Sequence, residues 1–334
     1  MNTKIIIAVD ISKEKLDIYC PNNKEHFIIS SAPEGFDKLS HWIEAHQFEQ
    51  ANTVVVFENT GSYGRSLIKF CTRNNLEFYQ LNALDISRSK GLTRGKNDKH
   101  DAMLIASYFM EKSYKLNPSK ADSQDIEAIK NLRATRDLMV KHRASFMTSL
   151  KQDKQVLGLS NDHVSVQAKQ NVIKTMDQEI KLLEKQIDEI VESNNEIKLT
   201  RRLLQSIVGV GPIIAMDTIL ATDNFRKFDT WRQYASFTGS APFPNESGKM
   251  IRTRRVSNLA RKDLKSNLTS GARSAVQYDQ EMAAYFQRKI EQGKSTKCVI
   301  NCVRAKLIAR MFAVVRKKQE FKRNYTHTLA VSVS

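Results

Sequence analysis

"IIIAVDISKEKLDIYCPNNKEHFIIS", residues 5–30, contains three short apolar runs: IIIAVD, LDIYC and HFIIS. The turn-like ISKEK and PNNKE separate them, so the stretch reads as three strands of an antiparallel meander. The first run is apolar at every position up to Asp10, the pattern of a strand buried on both faces. VVVFEN (54–59) is a second such run, and it ends in Glu58 before TGSYG. Residues 62–74 alternate with helical period and LEFYQL (76–81) is again strand-like. A meander followed by a strand–helix–strand crossover predicts a mixed α/β sheet.

From about 122 to 198 the composition changes: there is no Pro, one Gly and many charges. Ile173, Met176, Ile180, Leu183, Ile187 and Ile190 step by three and four, a heptad seam. Ile129, Leu132, Arg136, Met139, Arg143, Phe146 and Leu150 keep the same rhythm upstream, with two arginines on it. Two long helices around residues 158–162 are expected to form a coiled-coil hairpin, closing within the chain or against a second copy. From 199 onward, GVGP (209–212) lies between two helical patterns. A loop-rich basic stretch follows to about 258, and helical periodicity then runs from about 259 to 318, broken near Gly293. The last dozen residues read as a frayed tail.

The 334 residues carry a net charge of +17. Residues 201–334 hold 25 Lys and Arg against 9 Asp and Glu, whereas residues 1–200 hold 28 against 27. Segregation of the whole excess into the last two-fifths points to an acidic polymer, nucleic acid before any other. Cys20, Cys71, Cys298 and Cys302 form no CxxC and imply a reducing compartment without a disulfide framework. Cys298 and Cys302 are expected to be packing thiols. The apolar run at the N-terminus is too short for a signal peptide, and no stretch is long enough for a membrane span. The expected setting is cytoplasmic, with no membrane partner.

Asp10 and Glu58 close buried strands, and Asp98 and Asp101 in KNDKHDA (96–102) share one helical face. Acids at strand ends are often turn formers, and an Asp pair beside Lys is often a solvated face. Four around one sheet edge would instead repel one another unless cations relieve them. Magnesium or manganese suits such oxygen donors, and two ions about 3.5–4 Å apart can clamp a phosphodiester displacement. The order strand–Asp–hairpin, strand–Glu, helix–Asp-x-x-Asp is the layout of an RNase H/RuvC-like nuclease core.

AVDISKEKLD, FENTGSYG, KNDKHDA, GVGP, GSAPFPNESGK and RRVSN together resemble the DEDD transposases of bacterial insertion sequences, over about residues 4–318. This is the "one-ten" family, which includes the Piv-type DNA invertases and the bridge-RNA-guided recombinases. The resemblance implies three domains: a RuvC-like DEDD catalytic domain (1–121), a coiled-coil helical hairpin (122–198) and a mainly α C-terminal transposase domain (199–334). It implies that Asp10, Glu58, Asp98 and Asp101 are catalytic metal ligands. It also implies a serine nucleophile, best matched by Ser247 in PNESGKM, with Ser240 and Ser257 as alternatives. The implied partners are DNA (element ends and target), a structured noncoding guide RNA and further copies of the chain, as dimer or tetramer. The implied place is the bacterial nucleoid.

Ser247 precedes Gly248, which permits close backbone approach, and Lys249, Arg252, Arg254 and Arg255, which can grip a phosphate. Gly209 and Gly211 resemble a helix-hairpin-helix turn whose N–H groups hold a DNA phosphate, though a plain helix-connecting turn explains them equally. Arg261, Lys262, Lys265, Arg273, Lys297, Arg304, Lys306 and Arg310 extend the basic face. Arg133, Arg136, Lys141 and Arg143 either touch RNA or solvate the hairpin. Trp231, Tyr234 and Phe237 read as core.

Transesterification through a phosphoserine conserves bond energy, so no ATP is expected, and no GxxxxGK[ST] occurs. A structure-specific, junction-resolving nuclease that hydrolyses with water would use the same acids. A non-enzymatic binder would keep them as structural charges only.

Overall fold

The computed structural model describes residues 4–89, 98–241, 246–247, 250–251 and 260–322, with backbone only at 62, 98, 246, 247, 250 and 251. They fall into two compact units, residues 1–121 and 122–334.

In the first unit β1 (Ile5–Ile11), β2 (Lys15–Cys20) and β3 (Glu25–Ser30) form the antiparallel meander. Helix α1 (Pro33–Ala45) then leads to β4 (Thr53–Glu58), and α2 (Arg65–Arg73) crosses to β5 (Glu77–Leu81). β4 runs parallel to both β1 and β5, giving the order β3-β2-β1-β4-β5. Two further helices follow, α3 (Ala83–Ser89) and α4 (Asp98–Lys112). The unbroken apolar runs of β1 and β4 have a direct cause, since both faces are covered. Ile7, Val9 and Phe57 pack with Leu39 of α1 and with Leu67 and Phe70 of α2. Ile6, Ala8, Val54 and Val56 pack on the other side with Ile105, Ala106 and Phe109 of α4.

The second unit opens with α5 (Gln124–Gln155) and α6 (Val164–Ser193). Arg136 donates to Glu184 at 2.8 Å, Arg143 to Asp177 at 2.6 Å and Lys169 to Asp153 at 2.6 Å. These partners run in opposite order, so the two helices are antiparallel neighbours. The seam arginines thus bridge one helix to the other. Ile126, Ile129, Ile187 and Val191 carry the open end of the pair into the unit's main core.

That core is built by α7 (Asn195–Gln205), α8 (Pro212–Thr222), α9 (Trp231–Phe237), α10 (Lys262–Tyr278), α11 (Gln280–Glu291) and α12 (Thr296–Lys317). A short ribbon, β6 (Glu246–Ser247) against β7 (Met250–Ile251), stands where sequence reasoning expects loop. Tyr234 is buried as expected of a core aromatic, while Phe237 stays partly exposed. The expected tail, 323–334, lies outside the described residues. Among those that are described, no helix is long and apolar enough to cross a membrane.

Two features fix the helical core. Gly209 has φ +91°, and a Cβ there would meet the Gly271 carbonyl oxygen at 2.4 Å. A Cβ on Gly271 would in turn meet the Gly209 oxygen at 2.4 Å and Ile214 Cδ1 at 2.6 Å. The turn before α8 therefore packs backbone to backbone on α10. Gly209→Ala adds left-handed strain to a clash with immovable backbone and should cost about 2–5 kcal/mol, read as a lower denaturation midpoint.

Asp279, where α10 ends and α11 begins, accepts the Met282 N–H at 3.1 Å and a 2.6 Å ion pair from Arg310 of α12. Burial pushes its carboxyl up, but the Met282 N–H and the Arg310 guanidinium outweigh burial and hold it below its ordinary value. Its folded pKa lies below the unfolded one, so its contribution is present above the unfolded pKa and is lost as pH falls through the folded one. Asp279→Ala leaves Arg310 with the exposed Glu281 as its remaining acidic partner among the described residues and should cost about 3–5 kcal/mol at neutral pH. The deficit should shrink in acid, as denaturation at both pH values will show.

Candidate active site and nucleic-acid interface

Val9 of β1 pairs with Phe57 of β4 in parallel register, so the next residues, Asp10 and Glu58, are neighbours at the carboxyl ends of adjacent strands. Side chains alternate along a strand, which puts Asp10 with Ile6 and Ala8, and Glu58 with Val54 and Val56. Those four belong to the core that α4 covers. Both acids therefore share one face and one edge of the sheet.

Asp98 and Asp101 occupy the first turn of α4, where the exposed N–H groups and helix dipole favour negative charge. Asp98 precedes the buried Ala102 and Ile105 by four and seven, and Asp101 precedes Ile105 by four. The pair thus lies on the stripe of α4 that meets the sheet. The first unit brings all four positions to the α4 side of one sheet.

Asp17 was not singled out by sequence reasoning. It stands directly opposite Asp10 across the β1–β2 ladder and is 2% exposed. Like charges so placed destabilise unless compensated. Lys15 at 3.2 Å and His26 at 3.3 Å compensate Asp17. Period-two alternation could have flagged it, since an acid at an inward position of a buried strand needs a partner.

The donor set is all carboxylate oxygen, which suits a hard divalent cation. Among the described residues no three His, Cys, Asp or Glu side chains form a ready metal cluster, and the Asp98 side chain is not one of them.

In the second unit Ser247 ends β6 and pairs with Met250 of β7. Gly248, Lys249, Arg252, Arg254, Arg255 and Ser257 lie outside the described residues. Ser240, one of the two alternatives, is 1% exposed and its hydroxyl lies 3.1 Å from that of Thr238. Burial and this bond make it a core residue, closed to an incoming phosphate.

Gly211 is exposed, with nothing within 4 Å of where its Cβ would be, so packing alone does not require a glycine there as it does at Gly209. Arg261 is held by Asp263 at 2.6 Å, while Lys262 at the start of α10 is exposed. Arg310 and Lys306 pair with Glu281, at 2.6 and 3.2 Å, so these two expected members of the basic face are spent within the fold. Cys298, expected to be packed, is exposed.

Two transposase family models match the chain. One, of the DEDD type, covers residues 7–155, and the other, the transposase IS116/IS110/IS902 family, covers residues 201–287. The chain is also 25% identical over 327 residues to the pilin gene-inverting protein of Moraxella bovis, spanning 96% of this chain and 98% of that protein. It is 24% identical to the pilin gene-inverting protein of Moraxella lacunata over the same length. Together with the mixed sheet and the basic helical unit, these matches define an enzyme of DNA transposition and recombination. Within that class, the chain belongs to the IS110 transposase family.

Proposed function

We propose that the protein cuts, exchanges and rejoins DNA strands of an insertion sequence by transesterification through Ser247. The reading rests on one observation above the others. Asp10 and Glu58 end adjacent parallel strands, on the face that receives the helix bearing Asp98 and Asp101. The strand order, with β1 central and β2 antiparallel to it, supports assigning residues 1–121 as a RuvC-like domain. The antiparallel pair α5/α6, with its heptad spacing, supports a coiled-coil hairpin over 122–198, ahead of a transposase domain over 199–334.

Asp10, Glu58, Asp98 and Asp101 would hold magnesium or manganese, about two ions, which when bound supply Lewis-acid stabilisation of a phosphodiester. The chain's own residues do the rest. Ser247 supplies the nucleophilic hydroxyl, and the neighbouring Lys249, Arg252, Arg254 and Arg255 hold the phosphate and its strand. As the Ser247 oxygen bonds to phosphorus, the bond to one DNA oxygen breaks. The serine proton is balanced by the hydroxyl formed on the leaving strand. A strand hydroxyl then attacks the phosphoserine, restoring Ser247 and joining DNA without ATP. Carboxylates and serine lie in different units and must be brought together; the likeness to this transposase family supports doing so in a homo-oligomer, with a noncoding RNA of the element choosing the sequences.

The test incubates the protein with Mg2+, DNA of an element end, and the RNA transcribed from the element's flank. A protein–DNA adduct that resists denaturant and needs both Mg2+ and RNA is expected. Cleaved DNA without any adduct would replace this reading with the hydrolytic nuclease. An adduct unaffected by ribonuclease would remove the RNA from it.

A further inference from the structure

A groove of about 990 Å³ opens among α10, α11 and α12, and it plays no part in the chemistry above. Its charged lining is Lys265, Arg273, Lys294, Lys297 and Arg304, with no Asp or Glu among the described residues that form it. Other cations of the unit are neutralised within the fold. Arg133, Arg136, Arg143, Arg226, Lys227, Arg261, Lys306 and Arg310 all meet carboxylates within 3.2 Å.

Arg304 is the sharpest case, being 6% exposed. It donates to the Lys265 carbonyl, to Thr269 Oγ1 at 3.1 Å and to Asn301 Oδ1, all uncharged, and its buried Nε has no partner. Burial pulls its pKa down, and burial together with the Arg304 charge does the same to Lys265. A buried guanidinium without a counter-charge is costly. Here it sits at the wall of an open groove rimmed by the exposed Arg273, Lys294 and Lys297, where an anion can supply what the fold withholds. The rest of the lining is largely apolar, with Val276, Phe286 and Ile300 beside Cys298 and Cys302.

We propose that this groove binds single-stranded nucleic acid, with phosphates on its cations and an unpaired base against its apolar lining. The proposal rests on the reading of the protein as a nucleic-acid enzyme, but not on Ser247 or on the metal. A paired base has its faces stacked and cannot reach a concave apolar lining, whereas an unpaired one can lie against it with its phosphates on the rim. The volume, near the top of the roughly 300–1,000 Å³ range of ligand pockets, accommodates a nucleotide with its flanking phosphates.

The test uses the full chain in EDTA, so that no cutting intervenes. Fluorescence anisotropy follows a labelled 12-nucleotide oligothymidylate, a 12-nucleotide oligouridylate and a 24-base-pair duplex across a salt series. Lys294→Gln with Lys297→Gln changes two exposed residues and leaves the core alone. It should weaken single-strand binding about tenfold and flatten the log–log salt slope by about 1.4, two phosphate contacts at about 0.7 each. Duplex binding should fall clearly less, by no more than about threefold. Phe286→Leu should weaken single-strand binding several-fold without changing the slope, separating apolar lining from rim. A loss confined to the oligothymidylate or the oligouridylate supports the groove and names the strand it takes. Unchanged affinities in both variants, or an equal loss on the duplex, would overturn the proposal. Because nothing is cleaved, that failure would leave the catalytic reading standing, and an inactive serine would leave the groove standing.

Discussion

Asp10→Asn and Glu58→Gln should each lower strand cleavage and adduct formation at least about 10³-fold, equivalent to about 4 kcal/mol of transition-state stabilisation. Either change keeps the shape of the side chain and removes its charge. Asp10 and Glu58 are only partly buried, so the sheet should fold as before and circular dichroism should be unchanged. DNA binding should survive, because the excess positive charge lies in residues 201–334. Loss of chemistry with retained binding is the signature of groups that act on the phosphate. Retained cleavage in both variants would mean that the carboxylates of this sheet edge are structural. The same changes at Asp98 and Asp101 follow the same logic from the helix side, where α4 covers β1 and β4.

Ser247→Ala carries the second large effect, and it separates two chemistries that share the acids. Without the hydroxyl there is no covalent link, so adduct and strand exchange should fall below detection, a loss of at least about 10³-fold. Alanine keeps the backbone pairing that Ser247 makes with Met250. A water-using nuclease would go on cutting with alanine there. Ser240→Ala is the matched control: the Ser240 side chain is buried beside Thr238, so that variant should lose some stability but keep the adduct once folded.

The sheet was legible because physics left little choice. β1 and β4 are covered on both faces and therefore read as continuous apolar runs, with Asp10 and Glu58 interrupting them where the cores end. The antiparallel pair α5/α6 was legible from its seam, including the two arginines, although their partners Glu184 and Asp177 were not. Helix α1 was missed, since its short span carries Pro33 and Gly35 and only a narrow buried stripe. Gly209 shows a different limit. A glycine needed for a phosphate and one needed for a neighbouring backbone look the same in a sequence, and only Gly271 across the contact tells them apart. Arg304 and Arg310 sit six apart on one helix and read alike. Arg310 is paired with Asp279, whereas Arg304 meets no carboxylate among the described residues. Which acid faces which base is decided by packing between elements far apart in the chain, and no local pattern encodes it.

The most direct measurement is the identity of the residue bonded to DNA. The denatured adduct, formed with Mg2+ on an element end, would be digested with protease and nuclease and its nucleotide-bearing peptide sequenced by mass spectrometry. The account predicts one phosphoester, on Ser247, absent from the Asp10→Asn protein. A modified Ser240 or Ser257, a link to another residue type, or the same adduct in Asp10→Asn would contradict it.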